Sequence, residues 1–146
     1  QNLLPSVNYS DLKLAVSHTE NNRTLIITIA SNRGLCGAFN TNVYKKANQH
    51  LTSENTGFVA IGKKVIESLS RNGHNVVLSD SELLDNISLE KSKKISNFII
   101  DNFIGGQCSE VILIYNKLLV HLVFRILFSM ELLLRLSLNW FPLLLN

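Results

Sequence analysis

The feature that most constrains this chain is a repeated switch of hydrophobic period between residues 24 and 115. Residues 24–30, Thr-Leu-Ile-Ile-Thr-Ile-Ala, form a β-branched, uncharged run, the pattern of a strand covered on both faces. The run stops at residues 31–37, where Gly34 and Gly37 permit a tight turn. Phe39, Val43, Ala47 and Leu51 then recur at steps of four, one stripe of an amphipathic helix with Lys45, Lys46 and Gln49 elsewhere on it. Strand, tight turn and helix make the first unit.

The unit recurs. Residues 57–61 read as a second strand, and 63–70 as a short helix with Val65, Ile66 and Leu69 inward, closed by Asn72-Gly73. Residues 75–78 read as a third strand and 79–81 as a turn. Ser88 suits an N-cap and Glu90 the first turn of a helix that carries Ile95, Phe98, Ile99, Asn102 and Phe103 on or near one face. Gly105-Gly106 ends it, and residues 110–115 form a fourth strand. Strands alternating with helices through short loops predict an α/β fold, a small mainly parallel sheet flanked by helices in three Rossmann-like layers. Four strands make a small sheet, so a fifth is expected to be missing, non-local or displaced.

Composition matters at the ends. Hydrophobic residues make up 46% of the 146 and charged residues 17%, against a usual charged share of about 25%, which excludes disorder for most of the chain. The net charge of +3 is too small to imply nucleic acid without a clustered basic face. Cys36 and Cys108 cannot frame a disulfide scaffold, which favours a reducing, intracellular setting. Residues 1–22 lack a charged start followed by an apolar block, so no signal peptide is expected there. Residues 118–145 hold twelve leucines and only Arg125, Glu131 and Arg135 as charges. That length could span a bilayer, but His121, Arg125, Ser129 and Arg135 share roughly one helical face bordered by Glu131. An amphipathic helix to Asn139, stopped near Pro142, fits that spacing better than a membrane span.

No active site assembles from spacing alone. The Gly34-Leu-Cys-Gly37 turn before a helix offers backbone N–H groups to an anion, yet it matches neither common phosphate-binding fingerprint, and a plain strand-to-helix turn accounts for it. Cys36 beside a helix start would have an activated thiol and could serve as a nucleophile. None of His18, His50, His74 or His121 stands at a spacing that ensures it as the base, and a small apolar filler is the plainer role. Asp80, Glu82, Asp85 and Glu90 are explained by capping and a solvated loop, and Gly62-Lys63-Lys64 by a solvated helix start. No Cys/His pair has zinc-ligand spacing. A Cys36-dependent α/β enzyme and a membrane-surface binding domain remain as alternative readings.

The stretch Ile29-Ala-Ser-Asn-Arg-Gly-Leu-Cys-Gly-Ala-Phe-Asn-Thr-Asn42 closely resembles the signature of the gamma subunit of F-type ATP synthase, S-D-R-G-L-C-G-G/A-F/L-N-x-N. Ala60-Ile-Gly-Lys-Lys64 resembles that family's I-G-K-K segment, and Val111-Ile-Leu-Ile-Tyr-Asn-Lys117 its V-x-L-x-Y-N-K/R-F strand. The resemblance implies a non-catalytic central-stalk (rotor) subunit of a proton-translocating enzyme, with alpha, beta, epsilon and c-ring subunits as partners. It implies neither cofactor nor metal, and catalysis at other subunits. Its place would be peripheral, on the cytoplasmic face of a bacterial inner membrane or on the matrix side in a mitochondrion.

The resemblance divides the chain into a remnant or linker (1–23), the gamma-like α/β domain (24–117) and a leucine-rich tail (118–146) outside the family pattern. Asn32, Arg33, Gly34, Leu35, Cys36, Gly37 and Asn40 carry over as a structural signature turn. Asn32 stands where the family usually has Asp, a mild change between turn-forming residues. The two coiled-coil shaft helices of the family have no counterpart, so the chain reads as a fragment unable to transmit torque. The abrupt change at Leu118 is expected to reflect translation in a shifted frame, with the tail packed as a helix on the sheet.

Overall fold

The structure, a computed structural model, describes residues 23–34, 38–51 and 56–116. The helix predicted for the tail lies outside these residues, as do Leu35, Cys36 and Gly37. Four strands and three helices alternate along the chain: β1 (Thr24–Ile29), α1 (Ala38–Gln49), β2 (Thr56–Ile61), α2 (Lys63–Arg71), β3 (Val76–Asp80), α3 (Leu89–Ile104) and β4 (Glu110–Tyr115). The strands make one sheet in the order β3-β2-β1-β4, with every pairing parallel. The α/β fold predicted from the periodicity is the fold observed.

Connection handedness explains the layering. The steps β1 to β2 and β2 to β3 run one way across the sheet, while β3 to β4 jumps back over two strands. Right-handed crossovers in opposite directions place their helices on opposite faces. Leu25, Ile27 and Ile29 of β1 accordingly pack with Val59, Ile61 and Val111 under Ile95 and Ile99 of α3. The alternate residues, Ile26 of β1 with Phe58 and Ala60 of β2, pack with Val43 and Ala47 of α1 and Val65 and Leu69 of α2. All six β1 residues are buried, as a central strand covered on both faces requires.

Two boundaries differ by two residues from the sequence expectation, the others by one at most. Helix α1 stops at Gln49, and His50 and Leu51 donate to Ala47 and Asn48 in tighter turns. Leu51 therefore leaves the apolar stripe and is 37% exposed. Strand β3 continues through Ser79 and Asp80 because they pair with Ala60 and Ile61 of β2, so the predicted turn starts later. The Ser88 cap is as expected, its hydroxyl accepting from the Lys91 amide at 3.2 Å.

Candidate functional site

In an open parallel sheet the loops at the carboxyl ends of the strands are free to build a site, above all where the winding reverses. Here the reversal falls between β1 and β4. Residues 31–34, which follow β1, therefore lie where such a fold would hold a ligand. They are occupied instead by hydrogen bonds among three loops.

Asn32 is the hub. Its Oδ1 accepts from the Lys63 amide at 2.8 Å, while its Nδ2 donates to the Ser81 carbonyl and to Asp85 Oδ2, both at 2.6 Å. One side chain thus ties the loop after β1 to the first turn of α2 and to the loop after β3. The bond to Lys63 also serves α2, whose own N-cap, Gly62, has no side chain to offer its orphan amides. Gly62 is dictated by backbone proximity. Its φ is +102°, and a Cβ there would sit 1.8 Å from the Ala30 carbonyl oxygen. The Gly62 amide donates to Asp80 at 2.9 Å, and the Lys64 amide to Ser31 at 3.2 Å, so the same crossing is bound at the backbone level.

Asn40, in the first turn of α1, closes the other side. Its Oδ1 accepts from the Ser31 amide at 3.0 Å, and its Nδ2 donates to the Arg33 carbonyl at 3.2 Å. The Ser31 hydroxyl lies 2.8 Å from the Arg33 carbonyl and 3.0 Å from Asn40 Oδ1, donating to one at a time. Arg33 and Gly34 are exposed on this turn, and Gly34 faces the Lys64 stem.

The remaining candidates have local tasks. Asp80 Oδ1 accepts from the Glu82 and Leu83 amides at 2.8 and 2.7 Å, holding the turn after β3. Glu82 pairs with Lys91 at 2.8 Å, and Lys64 with Glu67 at 2.9 Å. The hydrogen bond from Lys64 holds the Glu67 carboxyl below its ordinary range, and the bond Lys91 donates to the Glu82 carboxylate raises the Lys91 ammonium above its own. Asp80 thus holds a turn and Glu82 a surface ion pair, whereas Asp85 joins the Asn32 network. His74 meets Tyr44 Oη at 3.2 Å and tilts against buried Phe58. Cys108, 4% exposed, is buried under α3, and burial pushes its thiol pKa up. Among the described residues no group of three or more His, Cys, Asp or Glu could hold a metal ion, and no helix is long and apolar enough to cross a membrane.

Sequence reasoning placed Asn32 and Asn40 in the turn but missed Ser31, Ser81 and Asp85 as their partners. No local signal could have found Asp85, which lies 53 residues from Asn32. The arrangement is chemically a clasp: amides and carbonyls saturating one another, with the side chains of residues 32 and 40 as connectors.

The sequence model of a family described as ATP synthase matches residues 2–129, which takes in all seven elements and the first part of the tail. The chain is 29% identical over 125 residues to the ATP synthase gamma chain of Cytophaga hutchinsonii, covering 80% of this chain and 42% of that one. It is 35% identical over 98 residues to that of Flavobacterium psychrophilum, covering 65% and 34%. With that of Desulforamulus reducens it shares 32% over 92 residues, covering 62% and 32%. The chain spans between about a third and two fifths of the length of these curated relatives. On the match over most of its length, this chain belongs to the ATP synthase gamma-chain family.

Proposed function

We propose that this chain supplies the α/β domain of the central-stalk gamma subunit of a proton-translocating F-type ATP synthase. The observation that carries this reading is the match to gamma chains across every strand and helix of the sheet. In this reading the domain is a rigid docking body rather than a catalyst. Its partners are the epsilon subunit and the c-ring, and through the shaft the alpha and beta subunits. Its position is peripheral, on the cytoplasmic face of a bacterial inner membrane or the mitochondrial matrix side. Asn32, Arg33, Gly34, Leu35, Cys36, Gly37 and Asn40 have a structural task, holding the loops at the carboxyl ends of the strands. The cross-loop bonds of Asn32 and Asn40 support that role, since they spend the turn's polar groups on the fold itself.

The test is a pull-down of purified epsilon subunit, c-ring and alpha–beta head with the immobilised chain. Retention of epsilon or the c-ring is expected. Retention of none of the three overturns the functional reading and leaves the family membership standing.

A further inference from the structure

The chain contains a single Asn-Gly step, Asn72-Gly73, where α2 ends. An asparagine side chain can be attacked by the backbone nitrogen of the residue that follows it. A glycine there puts no side chain in the way and lets the backbone bend toward ring closure. This step is therefore where the sequence most readily turns an asparagine into an acid. The fold holds it in an unreactive arrangement.

The helix closes in a Schellman turn: Gly73, at φ +70°, donates its amide to the Ser70 carbonyl at 3.1 Å, and the His74 amide donates to Leu69 at 3.1 Å. The attacking nitrogen thus has its N–H engaged. The group under attack is engaged as well, since Asn72 Nδ2 donates to the Ser68 carbonyl at 2.7 Å. Backbone rotation adds a third restraint. At Asn72 ψ is 12°, which sets its own nitrogen nearly in line with that of Gly73 and its Cβ about a third of a turn away. Ring closure needs Cβ in that line instead. Packing at Gly73 does not keep the turn shut, because among the described residues nothing lies within 4 Å of a Cβ there. The next residue does: His74 Nε2 lies 3.2 Å from Tyr44 Oη of α1, and its ring tilts against buried Phe58 of β2 with centroids 5.3 Å apart.

We propose that Asn72 is a site of spontaneous deamidation whose rate is set by opening of the last turn of α2, which the Tyr44–His74 contact pins. With the turn open, the Gly73 nitrogen gives its proton to solvent and bonds to Asn72 Cγ. The Cγ–Nδ2 bond breaks, and the nitrogen takes up a proton and leaves as ammonia. Water then opens the cyclic imide at either carbonyl, leaving aspartate or isoaspartate at position 72. The net change is amide plus water to acid plus ammonia. The product cannot donate to Ser68, and its charge lies at the carbonyl end of the helix, where an anion is unfavourable. Conversion therefore loosens the joint between α2 and α1. The inference is independent of the rotor reading, since it needs no partner.

The full chain is incubated at mildly alkaline pH, in buffer and in denaturing guanidinium. Conversion at each asparagine is followed by peptide mass spectrometry, with isoaspartate separated by chromatography. In guanidinium Asn72 should convert faster than any other asparagine. In buffer its rate should fall on the order of tenfold or more, because reaction then waits on local opening. Tyr44→Phe, distant in sequence from the step, should raise the rate in buffer about threefold or more, as loss of one hydrogen bond allows, and leave the guanidinium rate unchanged. Equal rates at Asn72 in buffer and guanidinium, faster conversion of another asparagine in guanidinium, or a Tyr44→Phe rate unchanged in buffer each overturn the proposal. Should Tyr44→Phe fail to fold, His74→Ala, read against its own guanidinium rate, takes its place with the same outcomes.

Discussion

Asn32 donates to the Asp85 carboxylate at 2.6 Å across 53 residues of chain, while the oxygen of the same amide receives the first helical N–H of α2. The family's usual aspartate could take the second role and not the first. Asn32→Asp would set a carboxylate where Nδ2 now donates to Asp85 and to the Ser81 carbonyl. An expected loss of about 1–3 kcal/mol follows from two donated bonds replaced by repulsion. Asp85→Asn in the same chain should recover part of it by restoring a donor to the pair. Urea unfolding of the two single variants and the double variant measures this coupling, and strict additivity would show the contact carries no energy.

Gly62 and Gly73 both have positive φ, +102° and +70°, but they differ in surroundings. A Cβ at Gly62 would collide with the Ala30 carbonyl, whereas nothing lies within 4 Å of one at Gly73. Gly73→Ala should therefore cost only the left-handed strain of about 1–2 kcal/mol. Gly62→Ala adds a forced shift of β1 against α2 and should cost more, on the order of 3–4 kcal/mol. Equal losses in thermal or urea unfolding would contradict the collision.

Ser92 of α3 is fully buried, and among the described residues its Oγ is the buried side-chain polar atom without a hydrogen-bond partner. A hydroxyl desolvated without compensation lowers stability, and serine is a poorer helix former than alanine. Ser92→Ala should raise stability by about 1 kcal/mol, read as a higher denaturant midpoint at unchanged slope. A fall in midpoint would mean that the hydroxyl has a partner or fills needed space.

Burial raises the Cys108 thiol above its ordinary value of 9.0. The folded state therefore holds this proton more tightly than the unfolded chain, so the associated stability is complete below pH 9.0 and is lost as pH rises from there through the folded value. Cys108→Ala should remove this part of the alkaline fall in stability. In the unmodified chain Cys108 should react with thiol reagents only as fast as the fold opens. Rapid labelling under native conditions would contradict its burial.

The elements were legible because their signals are local. Residues 24–29 are an uncharged β-branched run and 111–115 a continuous apolar one, and Ser88 with Glu90 marks a helix start within one turn. The signature turn was legible as a motif, and Gly62 as a glycine after a strand. Their reasons were not, because the carbonyl that excludes a side chain from residue 62 belongs to Ala30, and the acceptor that suits an asparagine at 32 belongs to Asp85. Leu51 misled for the opposite reason: it keeps the helical period, but the helix winds up in tight turns before reaching it.

By itself the sequence determined the four strands, the three helices, their parallel α/β class and the family to which they belong. Hydrophobic period and turn chemistry act over a few residues and survive without knowledge of neighbours. Only the tertiary structure decided that β1 lies between β2 and β4, that β3 shifts register against β2, and that Asn32 joins three loops. Those are relations between segments distant in sequence, up to 86 residues for Thr24 of β1 and Glu110 of β4. They depend on which crossover each helix makes and on which carbonyls and amides that crossover brings within hydrogen-bonding reach.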